Sequence, residues 1–365
     1  MKASDALTKF LITHKVQTCF ELVGGMITHL LDSFAQSGEF NIISMHHEQA
    51  AAFAAEGVAR KTKGTRIAVA MGTSGPGATN LITGIGSCWF DSVPCLFITG
   101  QVNTCELKGD RAIRQQGFQE LDIVEVSKSL TKYSKRIDNV DDLLPALHHA
   151  LSISLSGRQG PVLIDIPNDI QRADISNELL EKWLNLSLNI EGQEDITLGD
   201  INALKALSSK AKRPLICIGG GARWASSMSP WLRGADALGI PYVTTLMGHE
   251  RVVAGDCYFN MIGSYGNREA NWAVQNCDLL IVIGARLDIR QTGADADDFA
   301  RRAVIVQIDI DQSQLNNRVK ADLNICAASE SFFRSFKLKV DTFPNLDKTW
   351  VNDLSERRNQ GLINE

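Results

Sequence analysis

The stretch NIISMHHEQAAAFAAEGVARKTKG, residues 41–64, changes its period half-way along. Asn41 to Met45 is a short apolar run of the kind a buried strand uses, whereas from Glu48 onward Ala-rich residues recur at helical spacing. A strand running straight into a helix is half of a β-α-β unit and predicts parallel sheet. Glu48 stands at the junction, on the sheet edge where α/β proteins place ligands. In a first helical turn a Glu complements the helix dipole and need do nothing else. Ala50, Ala51, Ala52, Ala54 and Ala55 shift that balance, because a face of small residues suits close packing against another subunit or domain and would put Glu48 at a buried seam. An acid withdrawn from water can exchange a proton with a ligand near neutrality.

The same alternation extends in both directions. Around residues 41–45 lie the runs TCFELV (18–23), RIAVAM (66–71), PCLFIT (94–99), a weaker TKYSKRI (131–137) and PVLIDI (161–166), separated by helical stretches. These runs are apolar throughout, as strands covered on both faces are. Residues 173–197 lose the pattern, turn polar and read as a linker. A second series follows with PLICIG (214–219), IPYVTTL (240–246), DLLIVIG (278–284) and AVIVQIDID (303–311). The expected fold class is α/β with two doubly wound parallel-sheet domains, over residues 1–172 and 198–335. Residues 336–365 show one helix near Trp350 and no strand series, and read as the lead-in to a further domain.

Composition narrows the partners. A net charge of −5 and a pI near 5.9, without a local Lys/Arg cluster, give no pull toward nucleic acid or anionic membrane. Leu7, Phe10, Leu11 and Ile12 describe one helical face, too short and interrupted for a signal peptide, and no stretch reaches the length of a membrane span. A cytoplasmic protein is expected. The cysteines, at 19, 88, 95, 105, 217, 257, 277 and 326, lack metal or redox spacing and read as reduced thiols.

Residues 71–85, MGTSGPGATNLITGI, follow a strand and open a helix, and Gly72, Gly75 and Gly77 around Pro76 build a tight turn that lets backbone approach a ligand. The Lys-Ser/Thr ending of a nucleotide phosphate loop is absent. Four ordered motifs then become specific together: HEQAAAFAAEGVAR (47–60), TSGPGATNLITGI (73–85), DSVPCLFITGQV (91–102) and GFQELDIV (117–124). The set resembles the pyrimidine-binding domain of thiamine diphosphate enzymes, within the acetolactate synthase branch. The resemblance continues at GPVLIDIPNDIQ (160–171), GGGAR (219–223), TTLMG (244–248) and GARLDIRQTG (284–293), covering nearly the whole chain.

The resemblance implies a decarboxylase and carboligase acting on a 2-oxo acid such as pyruvate and a carbonyl acceptor. It makes Glu48 the carboxyl group that activates the cofactor through its pyrimidine, lines the cofactor pocket with Gly25, Thr73, Pro76 and Asn80, and faces Phe118 and Gln119 toward the reacting carbon. It also implies a homodimer or homotetramer with the cofactor between subunits. His46, His47, Asp91, Gln101 and Asp165 are read as packing or loop-holding groups. In the resembling enzymes the second domain binds FAD without a redox role, and in other branches ADP or nothing. Gly219, Gly220, Gly221, Arg286, Asp288, Arg290 and Asp309 match the flavin pattern. A dinucleotide fingerprint of the NAD type fails, since Trp224 occupies its third glycine position.

Several departures bear on substrate. The first glycine turn is Glu21-Leu22-Val23-Gly24-Gly25-Met26, with Met26 where the family has a small residue. The loop 103–117 is longer than in biosynthetic acetolactate synthases, Asn168 stands in place of a lysine, and Tyr265 replaces a histidine. These favour a related carboligase acting on a keto-sugar or another aldehyde or ketone. The family's Mg²⁺ and diphosphate site, a Gly-Asp-Gly run with a later Asn-Asn, has no counterpart: Gly-Asp occurs at 109, 199 and 255, and Asn316-Asn317 is far from each. No metal ligand is assigned, the Mg²⁺ is expected on a further domain, and residues 1–365 alone are expected to be inactive. The competing reading is a non-catalytic subunit or nucleotide-binding module on the same scaffold.

Overall fold

Two parallel sheets of six strands each organise the protein in the computed structural model, which describes residues 1–192 and 194–363. Gln193 in the expected linker, and Asn364 and Glu365, lie outside the described residues. The chain divides into a first unit, Met1–Glu191, and a second, Gly192–Glu365.

In the first unit the strands are β1 (Thr18–Glu21), β2 (Asn41–Ser44), β3 (Val69–Gly72), β4 (Leu96–Gln101), β5 (Tyr133–Arg136) and β6 (Val162–Pro167), in the order β2-β1-β3-β4-β6-β5. Every residue of β3, β4 and β6 is buried, which is why those runs are apolar without alternation. The chain goes from β1 to β2 on one side and returns to β3 on the other, so the order reverses between β1 and β3. At such a switch point the loops leaving the two strands diverge and open a crevice at the carboxyl edge of the sheet. Gly24 and Gly25 follow β1, and Thr73 to Gly77 follow β3. The segment read as a linker contributes to this unit: the helix Asn177–Leu184 buries Leu180 in the first core, with Leu179, Trp183 and Leu184 packed against it.

The second unit has β7 (Pro214–Ile218), β8 (Tyr242–Thr244), β9 (Tyr258–Met261), β10 (Leu279–Ile283), β11 (Val304–Asp309) and β12 (Leu323–Cys326), ordered β9-β8-β7-β10-β11-β12. This is the doubly wound order, with its switch point between β7 and β10. The sequence pattern shows four of these strands and misses β9 and β12, the two edges, which are four residues each and only partly buried. The final segment packs onto this unit, for Phe336, Phe343, Trp350 and Leu354 are buried in its cores and Trp350 Nε1 donates to the Pro214 carbonyl at 3.1 Å. No helix among the described residues is long and apolar enough to cross a membrane.

Candidate cofactor site

Glu48 owes its place to the helix cap before it. His47 has extended backbone, and its Nδ1 accepts the Gln49 N–H at 3.1 Å, so Glu48 is the first residue of the helix Glu48–Lys61. The side chain is 5% exposed. Its burial does not need the partner seam expected from the alanines, because Ala51, Ala52 and Ala55 pack inside the first unit while Ala50 stays exposed. A Cβ on Gly84, in the helix Ile82–Asp91, would lie 2.3 Å from Ala52 Cβ, so the small residues serve a close helix pair. Farther along, Arg60 bridges Glu56 to Asp91, and Ser87 Oγ donates to Glu56 at 3.2 Å, tying the same two helices.

The glycine turn after β3 wraps this carboxylate. Gly75 has φ +61°, and Pro76 opens the short helix Pro76–Asn80. A Cβ on Gly77 would stand 2.8 Å from Thr73 Cγ2 and 3.2 Å from Glu48 Oε1, so only glycine leaves the space beside that oxygen. Asn80 Nδ2 donates to Glu48 Oε2 at 2.9 Å. No hydrogen bond reaches Glu48 Oε1 among the described residues. One oxygen is thus anchored, and the other meets no donor among the described residues.

The loop after β1 closes in from the other side of the crevice. Met26 N–H donates to Thr73 Oγ1 at 3.2 Å, and a Cβ on Gly24 would be 2.4 Å from Thr73 Cβ. A Cβ on Gly25 would meet nothing within 4 Å, so that residue faces open space. Gln119 adopts φ +59° and packs on the turn, its Cβ and carbonyl each 2.8 Å from where a Gly75 Cβ would be. Glu48, Thr73, Asn80 and Gln119 therefore come together around Gly75 and Gly77. Pro76 is exposed, and the Phe118 ring is 75% exposed beside them. Sequence reasoning missed Glu120, whose carboxylate accepts the backbone N–H groups of Lys108 and Gln116 at 2.7 Å and of Gly117 at 3.3 Å. Burial works against its charge, but those donors hold its carboxyl below the ordinary value and close the loop before Gln119.

In the second unit Gly219 to Gly221 leave β7 at the switch point, and Gly284 to Asp288 leave β10 beside them. Cβ atoms on Gly219 and Gly221 would lie 2.1 Å from the Gly284 carbonyl and 3.0 Å from its Cα, and one on Gly220 would lie 2.8 Å from Met247 Cβ. Chain packing alone thus excludes a side chain at Gly219 and leaves little room for one at Gly220 or Gly221. Asp288 caps the turn Ile289–Thr292 through the Arg290 N–H at 2.8 Å and approaches Arg286 at 3.4 Å, while Arg290 donates to the Tyr265 hydroxyl at 2.7 Å. Asp309 ends β11 on the same carboxyl edge and accepts the Asp311 N–H at 3.0 Å. Among the described residues no three His, Cys, Asp or Glu side chains gather as a metal ion requires.

Residues 1–126 match the family model of the thiamine pyrophosphate enzyme N-terminal TPP binding domain, and residues 201–336 match that of the thiamine pyrophosphate enzyme central domain. The chain belongs to the thiamine pyrophosphate enzyme family. It is 34% identical to the probable acetolactate synthase large subunit of Methanocaldococcus jannaschii, over 98% of this chain and 59% of that protein. Identity to the acetolactate synthase isozyme 2 large subunit of Escherichia coli is 37%, over 82% and 52% of the two chains. Identity to the chloroplastic acetolactate synthase of Arabidopsis thaliana is 36%, over 89% and 47%. The chain spans about half the length of the curated relatives it matches.

Proposed function

We propose that this member of the family is a thiamine diphosphate-dependent decarboxylase and carboligase acting on a 2-oxo acid such as pyruvate and a carbonyl acceptor. The observation that carries this reading is the buried Glu48 carboxylate at the β1/β3 switch point, anchored through Oε2 by Asn80 and open at Oε1 beside Gly77. That arrangement fits an aminopyrimidine ring nitrogen, which needs one carboxyl oxygen in a dry site. When bound, thiamine diphosphate supplies a nucleophilic carbon at its thiazolium C2.

The residues of this chain have separable tasks. Glu48 holds or yields the proton at the pyrimidine N1′, and Asn80 fixes the carboxylate plane so that Oε1 points one way. Thr73, Pro76 and Gly77 shape the ring's seat, and Gly25 leaves the substrate side clear. Gln119 presents its amide to the reacting carbonyl, and the exposed Phe118 ring forms an apolar wall that excludes water once substrate is present. Met26 and Asn168 point to an acceptor that is an aldehyde or ketone, keto-sugars included, outside branched-chain synthesis. The diphosphate and Mg²⁺ are assigned to groups outside residues 1–365, because no Gly-Asp-Gly run with a later Asn-Asn occurs within them. A second copy is assigned to the face bearing Phe53, Trp89 and Phe90, and FAD to the Gly219–Gly221 edge with Arg286, Asp288, Arg290 and Asp309. A cytoplasmic setting, where the eight unpaired cysteines stay reduced, belongs to the same reading.

Glu48→Gln in the holoenzyme tests it. Hydrogen–deuterium exchange at C2 of bound thiamine diphosphate, followed by proton NMR, is expected to slow by about 10² to 10⁴ with the fold intact. Wild-type exchange in the variant would remove the proposal and favour a non-catalytic scaffold.

A further inference from the structure

Behind the Phe118–Gln119 turn lies a buried polar chain that no step above uses. Asp165 on β6 is 1% exposed and accepts Thr99 Oγ1 at 2.7 Å and Gln101 Nε2 at 3.0 Å, both from β4. The same Gln101 nitrogen gives its other hydrogen to the Leu121 carbonyl at 2.8 Å, and Gln101 Oε1 accepts the Val102 N–H at 3.0 Å. Three apolar side chains would fill this interior without the cost of desolvating a carboxyl group. What they could not do is reach the main chain two residues after Gln119.

The Gln101 amide has one workable orientation. Turned over, its oxygen would face the Leu121 carbonyl, which brings no donor whatever the charge on Asp165, and the Val102 N–H would lose its acceptor. Asp165 selects that orientation by accepting at Oδ2. Burial pushes its carboxyl up to about 7, against the pull of Thr99, Gln101 and Arg136 on β5 and with a further push from Asp122, so both protonation states occur near neutrality. A proton on Oδ1 is accommodated when the Thr99 hydroxyl turns to accept it, and Oδ2 still accepts from Gln101.

The turn needs such an anchor. Gln119 sits at φ +59°, a left-handed conformation that a non-glycine residue keeps only where its surroundings over-determine it. Gly75 presses on it from one side, and Glu120 gathers the loop before it. We propose that Gln101, oriented by Asp165, is the positioning residue that holds the Phe118–Gln119 turn through the Leu121 carbonyl. Its bearing on catalysis rests on the reading of Gln119 given above, whereas the anchoring itself does not.

The test has two arms. In the purified chain, amide exchange over residues 117–123 is expected to quicken at least about 10-fold in Gln101→Met, with β1 and β3 unchanged. Gln101→Asn keeps an amide but draws its nitrogen back by one methylene from Asp165 and Leu121 alike, and should loosen the same segment if Gln101→Met does not fold. Asp165→Leu should behave like Gln101→Met. Asp165→Asn should stay near wild type, with its amide nitrogen turned to Thr99 and its oxygen to Gln101. Wild-type protection of 117–123 in Gln101→Met or Gln101→Asn, or equal damage from Asp165→Asn and Asp165→Leu, would overturn the inference. In the holoenzyme Gln101→Met is expected to lose about 10² in kcat while C2 exchange stays at the wild-type rate. Loss of C2 exchange in Gln101→Met would also count against it, while failure of the Glu48→Gln test would leave the anchoring intact.

Discussion

Gly84→Ala would show how tightly the position of Glu48 depends on one helix contact. The new methyl would lie 2.3 Å from Ala52 Cβ, where carbon atoms rest at about 3.5–4.0 Å. Relief requires the helices Glu48–Lys61 and Ile82–Asp91 to part by more than about 1 Å, against the clamp of Arg60 on Glu56 and Asp91. Overpacking of this kind costs about 1–3 kcal/mol. Alanine returns about 1 kcal/mol through its better helix propensity, leaving a net loss of up to about 2 kcal/mol. Ala52→Gly alone should cost about 2 kcal/mol, from propensity and one buried methyl. The double variant exchanges the two residues across the same gap, so it should lie within about 1 kcal/mol of wild type and show a coupling of about 2 kcal/mol. Because the chain has two units, stability is best read from amide exchange of β3 and β4, which belong to the unit concerned. A Gly84→Ala protein more stable than wild type, or costs that add to within about 0.5 kcal/mol in the double variant, would refute the reasoning.

Asp165 gives a pH prediction with a definite sign. Its folded value of about 7 lies above the ordinary 3.8, so its stabilising share is full below about pH 4 and is lost as pH rises through about 7; Asp165→Asn should flatten denaturation midpoints over that window. Phe90 is 69% exposed and Phe53 41%, so sedimentation should show self-association that weakens in Phe90→Glu, and a strictly monomeric wild type at all concentrations would remove the assigned interface. Calorimetry on residues 1–365 with thiamine diphosphate and Mg²⁺ should give neither tight binding nor pyruvate turnover, since in the proposed function Glu48 and the glycine turns address only the pyrimidine end. Micromolar affinity with turnover would show that the diphosphate is held within these residues.

Local sequence carried the two sheets and the glycine turns of the candidate sites, because a strand, a glycine turn and a helix start are each written in a few consecutive residues. The junction at Glu48 follows from its own neighbours, and so does the turn at Gly75 to Gly77, where a positive φ and a missing Cβ are both needed. The edge strands β9 and β12 were not legible, since each is only four residues long and is interrupted by an asparagine, Asn260 or Asn324. Nor was the destination of the alanines: their spacing announces a small-residue face, but only the approach of Gly84 shows that the face is spent within the unit. The polar look of residues 173–197 hid Leu180, and the last segment hid Trp350, because one buried side chain among exposed ones leaves little periodic signal. What the tertiary structure alone decided is the pairing of distant groups. Asn80 reaches Glu48 across 32 residues, Glu120 closes a loop on three backbone N–H groups, and Gln101 joins Asp165 to Leu121. Such bonds depend on which strands lie side by side, and the order β2-β1-β3-β4-β6-β5 is set by how whole layers bury their faces, which no single stretch of the chain encodes.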